Sequence, residues 1–94
     1  RMTYRVKFTS AYQKDYKRAK KRRLDIGLLD AVVDELRQGH TLPAMHRDHE
    51  LKGNWAGFRE CHIQPDWLLI YLVEDDILTL TLTNTGTHAD IFDE

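Results

Sequence analysis

Three side chains capable of acid–base chemistry lie near the ends of predicted strands in the second half of the sequence. His62 lies near the end of a β-type pattern, Asp66 follows four residues later in a Pro-Asp turn, and His88 comes after the last alternating segment. Because neighbouring antiparallel strands bring such ends together, the three groups could meet on one surface. Imidazole titrates near neutral pH, so one histidine can accept a proton while another donates one.

Two groups of this kind suffice to cleave RNA, because the 2′-hydroxyl of RNA serves as the nucleophile. A base removes the hydroxyl proton, a cation stabilises the charge on the phosphorane, and an acid protonates the departing 5′-oxygen. We assign the acid–base roles to His62 with Asp66 and to His88, and the cation to Arg59 or Lys52. Each residue also has a structural interpretation, as a surface histidine or a salt-bridge partner.

A zinc site is a competing hypothesis for the histidines. His46 and His49 are three residues apart, and His62 and His88 could complete a ligand set. The spacing lies in a predicted loop and lacks the HExxH pattern that would give it a mechanism. The single cysteine, Cys61, points toward the predicted core. We therefore rank zinc third among the functional hypotheses and predict neither a metal nor a cofactor.

Positive charge is concentrated at the start of the chain. Residues 1–23 hold ten of the fourteen lysines and arginines against one acid, although the formal net charge of the whole chain is only -1. This asymmetry favours a polyanionic partner, either nucleic acid or an acidic protein segment, over a merely solvated helix face. The stripe that would bind RNA or a partner protein comprises Lys14, Lys17, Arg18, Lys21 and Arg22. A non-catalytic binding module that uses this stripe is our second functional hypothesis.

Length and composition indicate one small globular domain spanning residues 1–94. The sequence is 41% hydrophobic and 31% charged, as is usual for folded proteins without fibrous or disordered character. Arg1 precedes Met2 and is interpreted as a cloning remnant. The longest apolar run, residues 67–73, is too short to span a bilayer, and no secretion signal is recognised. We expect a cytoplasmic protein without a membrane partner.

The first half of the sequence predicts a strand and a helical hairpin. Residues 3–8 alternate as a strand does, and Ser10 with Gln13 resembles a capping box that begins a helix. A second helix is capped by Asp25 and ends at Gly39. The apolar positions of the two helices recur with helical period and should form one shared stripe: Tyr12, Tyr16, Ala19, Leu28, Leu29, Val32, Val33 and Leu36.

The second half predicts an irregular segment followed by three strands. Residues 40–57 contain two glycines and a proline, and strands are expected at 58–63, 67–73 and 78–83. In the last of these the leucines should face the core and the threonines should face solvent. A turn is expected at 84–87.

Alternation in the strand at 58–63 divides its side chains between two faces. Cys61 and Ile63 fall on the apolar face, and Glu60 and His62 fall on the opposite face, which we expect to be solvated together with the threonines. Residues 89–92 are predicted as one helical turn or another short strand. The acid–base groups would thus lie on the wet surface of a sheet.

Four sequence motifs occur in a fixed order after the helical hairpin. They are Arg47-Asp48-His49-Glu50-Leu51-Lys52-Gly53, Phe58-Arg59-Glu60-Cys61-His62, Pro65-Asp66-Trp67, and Thr85-Gly86-Thr87-His88 followed by Phe92. This set resembles the YafQ-like branch of the RelE superfamily, the toxins of bacterial type II toxin–antitoxin pairs. The resemblance runs along almost the whole chain.

The resemblance implies both a fold and an activity. The fold would be α+β, with an N-terminal antiparallel helical hairpin packed on a mainly antiparallel sheet of four to five strands. The activity would be a ribosome-dependent endoribonuclease that cuts mRNA in the aminoacyl site. The partners would be the ribosome, mRNA and a cognate antitoxin with a ribbon-helix-helix region, and DNA would be contacted only through the antitoxin complex.

Carried over by position, the resemblance implies an acid–base group of His49, His62, Asp66 and His88. We favour His88 as the acid, and either Asp66 or His62 as the base. The resemblance further implies that Trp67 and Phe92 help to place the substrate.

One position departs from the family pattern. Asn84 stands where many relatives have arginine before the Thr-Gly-Thr-His segment. An amide donates a hydrogen bond but carries no positive charge, so stabilisation of the transition state would be weaker or would depend on Arg59 or Lys52. Glu60, where some relatives have aspartate, keeps the carboxylate.

Overall fold

Two helices pack on one face of a five-stranded mixed sheet in the computed structural model, which describes residues 3–93. The main elements are β1 (Arg5–Phe8), α1 (Ser10–Lys21), α2 (Ile26–Arg37), β2 (His49–Glu50), β3 (Arg59–Gln64), β4 (Trp67–Glu74), β5 (Thr79–Gly86) and α3 (His88–Phe92). The strand order is β1-β5-β4-β3-β2, and the β1–β5 pair is parallel while the other pairs are antiparallel. This confirms the predicted α+β class.

The helical hairpin forms as predicted, with one correction at its start. The N-cap of α1 is Thr9 and not Ser10: the Thr9 hydroxyl accepts a hydrogen bond from the Tyr12 amide at 2.9 Å. The same hydroxyl donates to the Thr83 carbonyl at 2.6 Å, which ties the start of α1 to β5. Asp25 caps α2 as predicted, by accepting from the amide of Gly27.

The core lies between the helical hairpin and the sheet. Side chains from both helices meet the apolar face of the strands, and the core includes Tyr12, Ala19, Leu29, Val32, Leu36, Cys61, Ile63, Leu69, Leu80 and Leu82. Leu28 was expected in the shared stripe but is 40% exposed, because it lies at the edge of the α2 face. Among residues 3–93, none of the helices combines the length and the apolar character needed to cross a bilayer.

We expect Leu69→Ala to lower the free energy of unfolding by about 2–5 kcal/mol. Leu69 is fully buried and lies between Cys61 of β3 and Thr85 of β5 in the sheet register, so its loss leaves a cavity that the strands cannot fill. Urea denaturation would measure the change. Leu28→Ala is the matched control, since its side chain is already exposed to solvent. An equal loss in both variants would contradict this assignment of the core.

The last strand is longer than the sequence pattern predicts. β5 continues to Gly86, so the turn expected at 84–87 is wrong: Asn84 pairs with Ile70, and Gly86 pairs with Leu68 of β4. The β4–β5 register shifts between Ile70 and Tyr71, as at a β-bulge, and the two strands stay paired on both sides of the shift. At the other end, Leu78 has a positive φ of 47° and is 42% exposed, so it is not a core residue.

The face of the sheet opposite the helices is not a wet surface at β3. Glu60 is 5% exposed and His62 is 8% exposed, which corrects the expectation that both would be solvated. Their partners in β4, Ile70 and Leu68, are fully buried. The ring of Trp55, from the β2–β3 loop, lies 5.5 Å from that of Phe92 of α3 between centroids. The loop predicted as irregular thus supplies packing.

Candidate functional site

The four predicted acid–base residues come from four segments that meet on the face of the sheet opposite the two long helices. His49 lies on β2, His62 on β3, Asp66 in the turn between β3 and β4, and His88 at the first position of α3. Because β3 pairs with both β2 and β4, these segments are brought together by the sheet itself. We call these four residues and Glu60 the histidine cluster.

Glu60 is the shared neighbour of two imidazoles. Its Oε1 lies 3.5 Å from Nε2 of His49 and 3.5 Å from Nε2 of His62. The antiparallel register places His49 directly opposite Glu60, so the first contact follows from strand pairing. The sequence pattern placed Glu60 on the same face as His62 but gave no sign that its carboxylate would lie between two histidines.

Backbone carbonyls fix the orientation of both rings. Nδ1 of His62 lies 3.1 Å from the Pro65 carbonyl, and Nδ1 of His49 lies 2.7 Å from the Arg47 carbonyl. A carbonyl only accepts, so each Nδ1 is the donor and each Nε2 carries a lone pair in the neutral ring. Both lone pairs face Glu60, which makes Nε2 the atom that can take up a proton.

His88 is held by Asp66. Its Nδ1 lies 3.1 Å from Asp66 Oδ1, and its backbone amide lies 3.4 Å from the same oxygen. The hydrogen bond from His88 lowers the pKa of the Asp66 carboxyl below its ordinary value. The rings of His62 and His88 are 6.0 Å apart between centroids, which is close enough for one phosphodiester group to contact both.

A series of aromatic rings continues from this pair. The ring of His88 lies 6.3 Å from Phe92, and Trp55 lies 5.5 Å from Phe92 and 5.7 Å from Phe58 between centroids. Such rings can stack against unpaired bases. The structure places Phe92 beside His88, whereas Trp55 and Phe58 were missed by sequence reasoning. The sequence could have indicated them only by their aromatic character, since one lies within and the other next to an otherwise polar loop.

Trp67 does not line the surface. It is 3% exposed, and its indole Nε1 donates to the Thr85 hydroxyl at 2.9 Å. That hydroxyl donates in turn to the Leu68 carbonyl at 2.7 Å. The ring of Trp67 is held in the core, and a role in placing the substrate stays a prediction. It joins β4 to β5 below the histidine cluster.

The cations predicted for phosphorane stabilisation lie away from the cluster. Arg59 alternates to the other face of β3 and contacts Asp48 at 3.4 Å and Glu50 at 3.6 Å. Asp48 also accepts from the hydroxyl of the buried Tyr71 at 2.5 Å, which fixes the segment before His49. Lys52 is exposed in the β2–β3 loop. The Arg59 side chain therefore anchors β2, and its assignment to the reaction stays a prediction.

The Asn84 side chain links β5 to helix α1. Its Nδ2 donates to Asp15 Oδ2 at 3.2 Å, and the amide of Thr85 donates to the same oxygen at 3.1 Å. Asp15 lies on α1 and is 9% exposed. The side chain at the position where the family pattern has arginine therefore binds a helix instead of reaching the histidines.

The basic stripe contains two arginines that form ion pairs within the fold and three exposed lysines. Arg22 forms an ion pair with Asp90 of α3 at 2.6 Å, and Arg18 contacts Asp15 at 3.1 Å. Three lysines of the stripe are exposed, and we call them the lysine surface: Lys14, Lys17 and Lys21. Arg18 and Arg22 form ion pairs within the fold but stay 37% and 44% exposed, and their binding to RNA or an antitoxin stays a prediction.

His46, one of the histidines considered for zinc, contacts the backbone of β3. Nδ1 of His46 lies 2.7 Å from the His62 carbonyl and donates to it, so the ring supports the backbone of β3. Within residues 3–93, no three histidine, cysteine or acidic side chains are arranged to hold a metal ion.

Comparison with known proteins gives concordant matches. A family model described as "Bacterial toxin of type II toxin-antitoxin system, YafQ" matches residues 4–93. The chain is 40% identical over 88 residues to the protein named mRNA interferase toxin YafQ of Escherichia coli strain K12, covering 93% of this chain and 94% of that protein.

Solved structures agree in fold. The YafQ chain in the E. coli DinJ–YafQ toxin–antitoxin complex superposes with a TM-score of 0.88 at 38% identity, covering 97% of this chain and 99% of that one. A metal-bound toxin from Helicobacter pylori superposes with a TM-score of 0.88 at 36% identity, covering 98% and 100% of the two chains. These likenesses extend over nearly every described element.

Proposed function

This chain belongs to the YafQ family of bacterial toxins from type II toxin–antitoxin systems, and from that premise we propose that it is an endoribonuclease that cleaves mRNA bound to the ribosome. The observation that carries the proposal is the approach of His62 and His88, whose rings are 6.0 Å apart on one face of the sheet. The E. coli relative named mRNA interferase toxin supports the substrate class.

His62 acts as the base and His88 as the acid. Nε2 of His62 is the free ring nitrogen beside a buried carboxylate, so it can accept the 2′-hydroxyl proton and the resulting imidazolium is stabilised by Glu60. Asp66 is the weaker candidate for the base, because its lowered pKa makes it a poor proton acceptor. Its hydrogen bond to Nδ1 orients His88 and stabilises the imidazolium form, whose Nε2–H can protonate the leaving 5′-oxygen.

Charge on the phosphorane is stabilised by His49 rather than by an arginine. His49 lies beside Glu60, and its side chain is about half exposed, so its ring can reach a non-bridging oxygen when it is protonated. Phe92 and Trp55 provide stacking surfaces for the bases that flank the cleaved bond. Arg59 contributes no positive charge in this mechanism because it is paired with Asp48 and Glu50, and the amide of Asn84 carries no charge.

Cleavage by this mechanism requires no metal, since the 2′-hydroxyl and two imidazoles supply the nucleophile, base and acid. The related H. pylori toxin solved with a metal bound makes a direct test worthwhile. We propose that cleavage on purified ribosomes proceeds unchanged after EDTA treatment of the toxin. Loss of activity in EDTA that returns with zinc, together with stoichiometric metal in the purified protein, would support a zinc hydrolase instead.

A cognate antitoxin is the proposed partner, as in the E. coli complex of YafQ with DinJ. We expect it to have a ribbon-helix-helix region and to connect the toxin to DNA. The decisive experiment expresses this chain with and without the neighbouring gene and maps the 5′ ends of cellular mRNA. New ends within translated regions should appear with the toxin alone and disappear on co-expression. Growth arrest without new ends would exclude the nuclease.

The lysine surface should bind the ribosome. We expect that changing Lys14, Lys17 and Lys21 to glutamate lowers the affinity for ribosomes and reduces the slope of log affinity against log salt by at least about 2. Cosedimentation at several salt concentrations measures both. The triple change to arginine keeps the charge and is the matched control. Cosedimentation of the glutamate variant at physiological salt with wild-type affinity would remove this surface from ribosome binding.

A binding module without catalysis is the second candidate, and the position of Asn84 favours it over the zinc site. The position that carries arginine in the family pattern here binds Asp15 and offers no charge to a substrate. Such a module would keep its cellular effect when His62 and His88 are both replaced, whereas the proposed nuclease would lose it.

A further inference from the structure

Helix α3 carries His88 and Phe92 but has only five residues, His88–Phe92. A helix of this length is unstable by itself, because nucleation costs more than its few hydrogen bonds return. The position of the His88 ring therefore depends on whatever fixes α3 to the rest of the fold.

Asp90 fixes the point at which α3 begins. Its Oδ2 accepts from the Thr87 amide at 2.9 Å, and its own amide donates to the Thr87 hydroxyl at 3.0 Å. This reciprocal capping box sets the backbone on both sides of His88, which lies between the two capping residues.

Arg22 fixes the side chain of Asp90. Its Nη1 donates to Oδ2 at 2.6 Å and its Nη2 donates to Oδ1 at 3.1 Å, so the two groups form a fork with one defined orientation. Only 16% of the Asp90 side chain is exposed. The same hydrogen bond holds the pKa of the Asp90 carboxyl well below its usual range, so the pair stays ionised at neutral pH.

The connection between β5 and α3 packs closely against the side chains at the end of α1 and against Asp90. A Cβ added at Gly86 would lie 2.9 Å from the guanidinium of Arg18 and 2.9 Å from Cβ of Asp90. Arg18 also donates to the Thr85 carbonyl at 3.3 Å. The end of α1 therefore contacts both the end of β5 and the first turn of α3.

We propose that Arg22 and Asp90 are positioning residues that hold the His88 imidazole against Asp66 and opposite His62. The pair is an ion pair from the end of α1 to α3, and it acts on the reaction only through the orientation of His88. The kinetic part of the proposal rests on the proposed function, in which His88 is the acid.

The variant Asp90→Asn removes the ion pair with Arg22 but keeps the hydrogen bond that caps α3. The asparagine side-chain oxygen can still accept from the Thr87 amide, but it carries no charge to hold the Arg22 fork. Asp34→Asn is the matched control, because Asp34 forms an exposed ion pair with Arg37 at 2.8 Å on α2. Arg22→Lys keeps the charge without the fork and should give an intermediate effect.

The first readout is the nitrogen spectrum of His88 in the free protein, which does not depend on any activity. Nδ1 donates to Asp66, so the wild-type ring should show a single tautomer with its proton on Nδ1. We expect Asp90→Asn to give a mixed tautomer pattern for His88 while the spectrum of His62 stays unchanged. A single Nδ1–H tautomer in Asp90→Asn would overturn the proposal.

The second readout is cleavage on programmed ribosomes. We expect Asp90→Asn to lower the saturated rate by about tenfold or more at an unchanged half-saturating concentration, since misplacement of a reacting group costs rate rather than binding. A higher half-saturating concentration with a normal saturated rate would assign the pair to ribosome binding and overturn the proposal. If wild type fails to cleave, the proposed function fails, and the spectrum still tests the positioning.

Discussion

Replacing His88 with alanine should lower the rate of mRNA cleavage on ribosomes by about 10²- to 10⁴-fold, the range typical for removal of a general acid. His88 is the only one of the two facing imidazoles that is hydrogen-bonded to Asp66, and its side chain is 43% exposed, so the leaving oxygen can approach it. Because the ring is not part of the core, the variant should fold normally. Growth arrest in cells expressing it should disappear.

His40→Ala is the matched control for this experiment. His40 is an exposed histidine that pairs with Glu35 at the end of α2, away from the histidine cluster. It should retain wild-type cleavage and toxicity. Cleavage by His88→Ala within threefold of wild type, at normal far-ultraviolet circular dichroism, would contradict the role of His88 as the acid.

Glu60→Gln should lower cleavage by roughly 100-fold while leaving the protein at least as stable as wild type. The Glu60 carboxylate is buried and its Oε1 lies 3.5 Å from each of two imidazoles, so it stabilises the positive charge that His62 gains in the reaction. In the resting protein the same carboxylate is a buried charge without a full partner, which costs stability. Removal of that charge thus separates activity from folding.

Thermal unfolding and cleavage rate should be measured together for the Glu60 variants. Glu60→Asp keeps the negative charge and should therefore retain more activity than Glu60→Gln. A variant that loses activity and stability in parallel would indicate that Glu60 supports the fold only. Full activity of Glu60→Gln would remove the carboxylate from the mechanism.

Sequence periodicity was sufficient to predict the elements that support the site. The helical spacing of Leu29, Val32 and Leu36 predicted the buried face of α2, and the alternation of Cys61 with His62 assigned the two faces of β3 correctly. Both patterns are local, because they depend only on residues in one element. The positions of His62, Asp66 and His88 near strand ends led to the predicted acid–base site, and His49 was added by the family resemblance.

Features that depend on distant residues were not predictable from those patterns. Glu60 and His62 are buried beside residues of other segments, since His49 of β2 lies next to Glu60 and His88 of α3 lies next to His62. Arg22 looks like a solvated helix residue in the sequence, but Asp90 is 68 positions away and becomes its partner only in the fold. Alternation and charge clustering carry no information about such pairs.

The parallel pairing of β1 with β5 has a consequence for the order of folding. Arg5 pairs with Thr79 and Phe8 with Leu82, so strands separated by most of the chain become direct neighbours. Contacts of such long sequence separation form slowly, because the intervening loop must be closed first. During synthesis, β1 and α1 emerge long before their sheet partner exists. The sheet can therefore close only after β5 has been synthesised.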